Sequence, residues 1–421
     1  IPDSQRLRGW LEDKSARHAV VVGGGFIGLE MTENLIRRGV SVTLIERLPH
    51  LMPALDAEMA TPLHCRLREE GVDLRLQASV TSFEADGDRV IVHTESPNQS
   101  GTDQADTDHI TADLVVLGIG VRPETALARS CGLELGELGG LRVDEQLRTN
   151  DASIWAVGDV VENHHIVTGR WCLMPLAGPA NRQGRVAADS IFGRPTKFRG
   201  VQGTSVCGLF GMTVATTGAN EGMLQACDMP YQKIYLHPGH HVGYYPGSRP
   251  IDLKLLFAPD GRLLGAQAVG WEGVDKRIDV IATALKAGLT VYDLEEVELC
   301  YAPQFGAAKD PVNIAAMIAA NALRDDAPVR FWNEPLDDVL LDVRDPDEFE
   351  AGHVPGAINI PLHQLRERLQ ELPQTQSVSV YCLVGQRAYY ATRLLRLNGV
   401  DARNMTGGYK TFLQFQETCA E

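Results

Sequence analysis

The chain contains no C-x-x-C pair. Its eight cysteines, Cys65, Cys131, Cys172, Cys207, Cys227, Cys300, Cys382 and Cys419, stand singly. That excludes a zinc ribbon and a paired-cysteine redox centre within these residues, and it suits a reducing, cytoplasmic setting. Basic charge is also short. Lys and Arg total 39 against 55 Asp and Glu, a net charge of −16. This argues against nucleic acid or an anionic membrane as a partner, though backbone N–H groups can still bind phosphate. No apolar run reaches the ~18 residues a membrane span needs. The His164-His165 and His240-His241 pairs lack partners at metal-ligand spacing, so no metal is expected. Repeats and low-complexity tracts are absent. Apolar content of 44% and charged content of 22% are ordinary for a packed protein, and 421 residues suggest two to four domains.

The first third alternates strand and helix. Strands are expected at AVVVGG, Ser41–Glu46 and Val72–Leu76, with helices over Phe26–Arg38 and Asp56–Glu70. That order gives a parallel sheet. A hairpin follows at Ser79–Ala85 and Asp88–Thr94, then an exposed loop over Ser96–His109, then a buried strand DLVVLGIG. The loop carries a sequon, Asn98-Gln99-Ser100, read as a chance match. Further on, a short strand is expected over Thr149–Asp159 and a helix over Gly178–Phe192. Residues 199–323 read as strands with one helix, Val274–Ala287, and Asp325–Pro335 reads as a linker.

Gly23-Gly24-Gly25-Phe26-Ile27-Gly28 is a G-x-G-x-x-G between a strand and a helix. Gly23 allows the tight turn, Gly25 lets backbone approach a pyrophosphate, and Gly28 permits close helix–strand packing. The helix N-terminus adds partial positive charge. Glu46 ends the second strand, where a carboxylate binds an adenosine ribose 2′-hydroxyl and repels a 2′-phosphate. NADH is therefore favoured. Arg47 beside it could receive that phosphate, so NADPH stays open.

The segment GGGFIGLE resembles the NADH oxidase and coenzyme A-disulfide reductase branch of the pyridine nucleotide-disulfide reductase superfamily. The resemblance implies that Phe26 gates the nicotinamide, that Ile27 lines the site and that Glu30 lies near the ring. Read from the residues alone, Glu30 suits a solvated helix position equally well. It also implies a second nucleotide-contacting loop at Gly118, Ile119 and Gly120 of GIGVRP. TNDASIWAVGD resembles the superfamily's flavin-contacting strand, with Gly158-Asp159 placed for a ribityl hydroxyl. MPLAGPANRQGR resembles the turn at the flavin pyrimidine, with Leu176 and Ala177 at the helix N-terminus. Relatives carry the flavin pyrophosphate turn and the redox cysteine in an earlier half. Only Ile1–His18 precedes the nicotinamide motif here, and none of the eight cysteines matches.

HPGHHVGYYPG, GVDKRIDVIATALKAGLT and YAPQFGAAKDPVN resemble the dimerisation domain of coenzyme A-disulfide reductases. The resemblance implies a homodimer in which Tyr244 or Tyr245, and Tyr301, reach the coenzyme A sulfur. A neutral phenol there can act as a general acid. Relatives often have a second tyrosine where this chain has Phe305.

DVRDPDEFEAGHVPGAINIP resembles the rhodanese signature, read as mostly structural, with Asp342 paired to Arg344. The strand VSVYC ends at Cys382, and four residues separate it from Arg387. Such a loop aims successive N–H groups at the sulfur. With Arg387 and the helix N-terminus these should favour the thiolate, which can carry a sulfane sulfur as a persulfide. Relatives with one more loop residue cradle phosphate. Cys207 and Cys300 read as buried and inert, and Cys419 as a surface bystander.

The expected architecture is α/β. It comprises a connecting remnant (1–18), a Rossmann-type NAD(H) domain (19–138), the second half of an FAD domain (139–198), an α+β dimerisation domain (199–323), a linker (324–335) and a rhodanese-like α/β domain (336–421). The implied activity is an FAD-dependent NAD(P)H:disulfide oxidoreductase acting on coenzyme A disulfide, persulfide or polysulfide, coupled to sulfur transfer at Cys382. The alternatives are a sulfurtransferase working through Cys382 alone, an NADH oxidase or peroxidase, and a nucleotide-binding subunit completed by a separate flavin-bearing chain.

Overall fold

The computed structural model describes residues 2–14, 16–97, 106–373 and 376–420. The Asn98–Ser100 sequon and the Cys419 side chain lie outside what is described. The chain divides into two compact units, one of residues 1–120, 207–214 and 330–421, the other of residues 121–206 and 215–329.

In the first unit a helix, Pro2–Lys14, precedes a four-stranded sheet in the order Asp73–Arg75, Ser41–Ile45, His18–Val22, Leu114–Leu117. All three pairings are parallel, with Val20 beside Thr43 and Val115. Helices Phe26–Ile36 and Ala57–Glu69 are the crossovers. Ala19, Val20 and Val21 are wholly buried, as a central parallel strand covered on both faces requires. Ser79–Asp86, Arg89–Ser96 and Asp106–Ala112 form an antiparallel sheet. The loop expected over Ser96–His109 is therefore corrected: its last residues are strand, His93 pairing with His109. Only Ile110 and Ala112 of that strand reach the core, too short an alternation to read among Asp, Thr and His.

The same unit holds a five-stranded sheet in the order Val329–Arg330, Ala402–Met405, Val378–Tyr381, Val339–Asp342, Ile358–Asn359. Its first strand occupies part of the expected linker. Helix Gly408–Ala420 packs on helix Ala57–Glu69, and Thr61 Oγ1 donates to the carbonyl of Gln414 at 3.1 Å.

In the second unit Ile251–Phe257 lies between Gln232–Leu236 and Leu263–Gly270, antiparallel to both. Every residue of the Ile251–Phe257 and Leu263–Gly270 strands is buried. Helix Val274–Ala287 packs on the sheet as expected, but Glu221–Ala226, Val291–Glu295 and Pro311–Leu323 are helices too. Pro311–Leu323 is Ala-rich and deeply buried, so it shows little polar periodicity. Its start is marked by a capping box between Asp310 and Asn313 with Pro311 in the first turn. The strand expected over Thr149–Asp159 is reduced to one bridge, Arg148 to Trp155, followed by the tight turn Gly158–Val160. Asp151 Oδ1 accepts the N–H of Ser153 at 2.8 Å, and this local bond competes with a ladder. No helix among the described residues is long and apolar enough to cross a membrane.

Candidate functional site

The nucleotide turn is built by backbone crowding. Gly23 has φ +104°, and a Cβ there would lie 2.5 Å from the carbonyl oxygen of Gly118. At Gly28 a Cβ would lie 1.8 Å from the carbonyl oxygen of Gly23. A Cβ at Gly25, which caps helix Phe26–Ile36, would meet nothing within 4 Å. The turn is thus closed toward the sheet and open at the helix N-terminus, a shape that fits a pyrophosphate. Gly118 donates to Val22 O at 2.7 Å, so the second loop leaves the sheet beside the turn, with Ile119 and Gly120 exposed.

Glu46 is 8% exposed. Its Oε2 accepts the Gly24 N–H at 2.6 Å and its Oε1 accepts the Leu48 N–H at 2.8 Å. Each oxygen keeps a further lone pair for a ribose hydroxyl. Phe26 is half-buried, while Ile27, Glu30 and Arg47 are exposed.

In the second unit Gly158 has φ +79° and donates its N–H to Gln183 Oε1 at 2.6 Å. Gln183 is fully buried and donates to Asn163 Oδ1 at 2.6 Å. This pair pins the Gly158-Asp159 turn against helix Ala177–Ile191, leaving Asp159 exposed beside that helix. Leu176 is the N-cap, and Ala177 begins the helix with its first N–H groups unfilled by any capping side chain. An exposed carboxylate and a free helix N-terminus suit a ligand carrying hydroxyls and developing negative charge, as a flavin does. The sequence did not single out Gln183 and Asn163. Gln183 lies on helix Ala177–Ile191 and Asn163 on strand Glu162–His164, 20 residues apart, so no local pattern marked them.

Tyr244 and Tyr301 converge, and Phe305 follows Tyr301 in the same loop. Val242 donates to Gly306 O at 3.0 Å, tying their two loops together. Arg277, 1% exposed, donates to Asp310 Oδ2 at 2.8 Å and to His240 O at 2.7 Å, anchoring both loops to one guanidinium. The Tyr244 and Tyr301 hydroxyls lie 3.2 Å apart. Hydrogen bonding to Tyr244 raises the Tyr301 phenol above its ordinary value. Tyr245 instead sets its ring edge-on to His241. All four aromatic rings at this surface are substantially exposed.

The Cys382 loop joins strand Val378–Tyr381 to helix Gln386–Leu397 through Gly385 at φ +93°. Cys382 is 1% exposed. Among the described residues one backbone donor reaches the sulfur, the Ala388 N–H at 3.4 Å from Sγ. Arg387 does not bond the sulfur. Its Nη1 and Nη2 donate to the two oxygens of Glu348 at 2.6 and 2.7 Å. Glu348 is 39 residues away in sequence, beyond any local motif, though DPDEFE announces its capping box with Asp345. The loop's outer wall is Gly408, where a Cβ would lie 2.3 Å from Cys382 O, and Tyr409, whose N–H donates to that same oxygen at 2.7 Å. Arg344 forks onto Asp342 as expected.

Burial first, then the Glu30 and Glu33 charges, pushes the Cys207 thiol up to about 11, and burial with Glu162 does the same for Cys172. Cys300, expected to be buried, is exposed because its segment Leu299–Tyr301 is irregular chain at the surface.

Three family models match the chain. Pyridine nucleotide-disulphide oxidoreductase covers residues 3–184, the dimerisation domain of that family covers 204–310, and a rhodanese-like domain covers 325–414. The NAD(P)H sulfur oxidoreductase (CoA-dependent) of Pyrococcus abyssi is 33% identical over 319 residues, 75% of this chain and 69% of that protein. The crystal structure of reduced Bacillus anthracis CoADR-RHD superposes with a TM-score of 0.93 at 42% identity, over 98% of this chain and 73% of that one. A NAD-dependent persulfide reductase from A. fulgidus superposes with a TM-score of 0.86 at 36% identity, over 97% and 73%. Joined to the glycine turn, the paired tyrosines and the Cys382 loop, these matches show that the chain belongs to the pyridine nucleotide-disulphide oxidoreductase family and carries a rhodanese-like domain.

Proposed function

We propose that this chain serves NAD(P)H-driven reduction of a coenzyme A disulfide, persulfide or polysulfide, coupled to sulfane-sulfur transfer at Cys382. The observation that carries the reading is the coexistence of a nucleotide turn, a surface pair of phenols and a cysteine loop in one chain, in the order its relatives share. The division at residues 138, 198, 323 and 335 belongs to the same proposal.

Gly23, Gly25, Gly28 and the Phe26 helix N-terminus would hold the dinucleotide, with Glu46 on the ribose and NADH preferred. Phe26, Ile27 and Glu30 would border the nicotinamide, with Arg47, Gly118, Ile119 and Gly120 at the rim. Gly158, Asp159, Leu176 and Ala177 would hold the ribityl and pyrimidine parts of FAD. When bound, these groups supply hydride and its relay to sulfur.

The chain's own chemistry then follows. Tyr301, kept protonated by Tyr244, would donate a proton to a departing thiolate, while Tyr245 borders the site. A homodimer fits the matched dimerisation domain. The Cys382 thiolate would accept or deliver the sulfane sulfur, with Ala388 N–H holding the sulfur in place.

The test is NAD(P)H consumption by the flavin-loaded protein with coenzyme A disulfide and with a persulfide, for the wild type and Cys382→Ala. Turnover of both acceptors, with only sulfur transfer lost in the variant, supports the reading. Sulfur transfer with no nucleotide-driven turnover would favour the sulfurtransferase alternative. Turnover with oxygen or peroxide but neither sulfur acceptor would favour the oxidase.

A further inference from the structure

Between Cys382 and Arg387 the loop residues Leu383, Val384, Gly385 and Gln386 carry no charge. Arg387 is therefore the loop's own cation, and it is already engaged. Its fork meets both oxygens of Glu348, and Nη1 also reaches Asp345 Oδ2 at 3.5 Å. A bidentate guanidinium–carboxylate pair of this kind fixes orientation as well as charge.

The acceptor is equally preset. Glu348 Oε2 accepts the Asp345 N–H at 3.2 Å, closing the capping box of helix Pro346–Ala351. Glu348 is thus held by its own helix as well as by Arg387. Hydrogen bonding to Arg387 holds the Glu348 carboxyl below its ordinary range, so the pair stays ionised around neutrality. Beside the sulfur, Leu383 presents an exposed apolar side chain.

Sulfur donors differ in what they leave behind. With an organic persulfide, R–S–SH, the Cys382 thiolate attacks the outer sulfur. A Cys382 S–S bond forms, the R–S–S bond breaks, and R–S⁻ departs with the bonding pair while the proton stays on the transferred sulfur. With thiosulfate the same attack expels sulfite, a dianion, which calls for an unpaired cation at the loop.

We propose that Glu348 determines the donor specificity of the Cys382 loop: by occupying Arg387 it denies that cation to dianionic donors and leaves the loop selective for organic persulfides. This rests on the sulfur-transfer reading above. Arg387 is then a positioning residue, not a sulfonate-binding one.

The experiment measures the rate at which the full chain's Cys382 is persulfidated, by peptide mass, with thiosulfate and with 2-hydroxyethyl persulfide. Glu348→Gln frees Arg387, and the thiosulfate-to-persulfide rate ratio should rise about tenfold, a gain that shrinks as salt is added. Arg387→Ala added to that variant should abolish the gain. Glu348→Asp, which keeps the charge but shortens the fork, should raise the ratio less, and it reads the same effect if the glutamine variant is unstable. An unchanged ratio, or a single Arg387→Ala change that depresses thiosulfate loading selectively, overturns this inference alone. If neither donor loads wild-type Cys382 while disulfide turnover persists, the sulfur-transfer reading falls and takes this inference with it.

Discussion

The phenol oxygens of Tyr244 and Tyr301 stand 3.2 Å apart, on two loops held together by Arg277. Either hydroxyl can donate to the other, and the hydrogen bond to Tyr244 raises the Tyr301 phenol above its ordinary value. Tyr301→Phe should lower kcat/KM for a coenzyme A disulfide on the order of 10²-fold, the scale of a lost general acid. Tyr244→Phe should do less at neutral pH but move the alkaline limb of the pH–rate profile downward. A profile unmoved by Tyr244→Phe would separate the two residues functionally.

In the proposed function Glu46 would set nucleotide choice through one charge. Its two backbone donors, Gly24 and Leu48, remain compatible with glutamine at one oxygen only. Glu46→Gln should raise the NADPH-to-NADH kcat/KM ratio on the order of tenfold, as a charge repelling a 2′-phosphate is removed. Steady-state kinetics with both nucleotides read this directly, and a fall in both rates without a change in ratio would assign Glu46 to the turn's structure instead.

Much of the nucleotide end was legible in the sequence, because a glycine turn between strand and helix is a local device and each element boundary fell within a few residues of its expected place. The sites that depended on distant partners were not legible. Arg387 reads as a cation for the sulfur until the fold brings Glu348 to it, and Gly408 gains its meaning only when its backbone lies against Cys382. Helix Pro311–Leu323 was missed for another reason. A helix buried on nearly every side has no polar stripe, so periodicity says little and the Asp310 cap is the surviving signal.

Glu221 binds two lysines in the second unit. Lys254, 0% exposed, and Lys233 both donate to it. Burial alone would raise the Glu221 carboxyl, but the lysines outweigh it and hold it near about 2, against an ordinary 4.5. A depressed carboxyl stabilises the fold above its unfolded pKa and loses that contribution as pH falls through the folded one. The window is therefore from about 4.5 down to about 2. Glu221→Gln should cost about 3–5 kcal/mol at pH 7 by removing the carboxylate to which the buried Lys254 and Lys233 donate, and the gap to wild type should close as pH drops through that window. Urea midpoints at several pH values test this.

Gly408 has φ +63°, and a Cβ there would strike Cys382 O, Gly385 N and the Leu383 carbonyl carbon, the nearest at 2.3 Å. Gly408→Ala should distort the Cys382 loop by about 1–3 kcal/mol of backbone strain. Sulfur transfer should fall with NAD(P)H-driven disulfide reduction retained. Parallel loss of both activities would mean that the strain spreads beyond the loop.

The cysteines sort by environment, and alkylation should reveal it. Cys172, half-buried, and Cys207, buried, are both pushed up to about 11 by burial and nearby carboxylates, and hold roughly 0.1% thiolate at pH 8. Cys131 and Cys300 are exposed. Iodoacetamide at pH 8 should therefore label Cys131 and Cys300 in the native protein and spare Cys172 and Cys207 until urea is added. Cys382 is the informative case. It is as buried as Cys207, but it sits at a strand end facing the Ala388 N–H rather than beneath two glutamates. Labelling of Cys382 ahead of Cys207 in the folded protein would mean that the loop opens to small electrophiles, as sulfur transfer requires. Equal protection of the two would mean that sulfur reaches Cys382 only when a donor pries the loop apart.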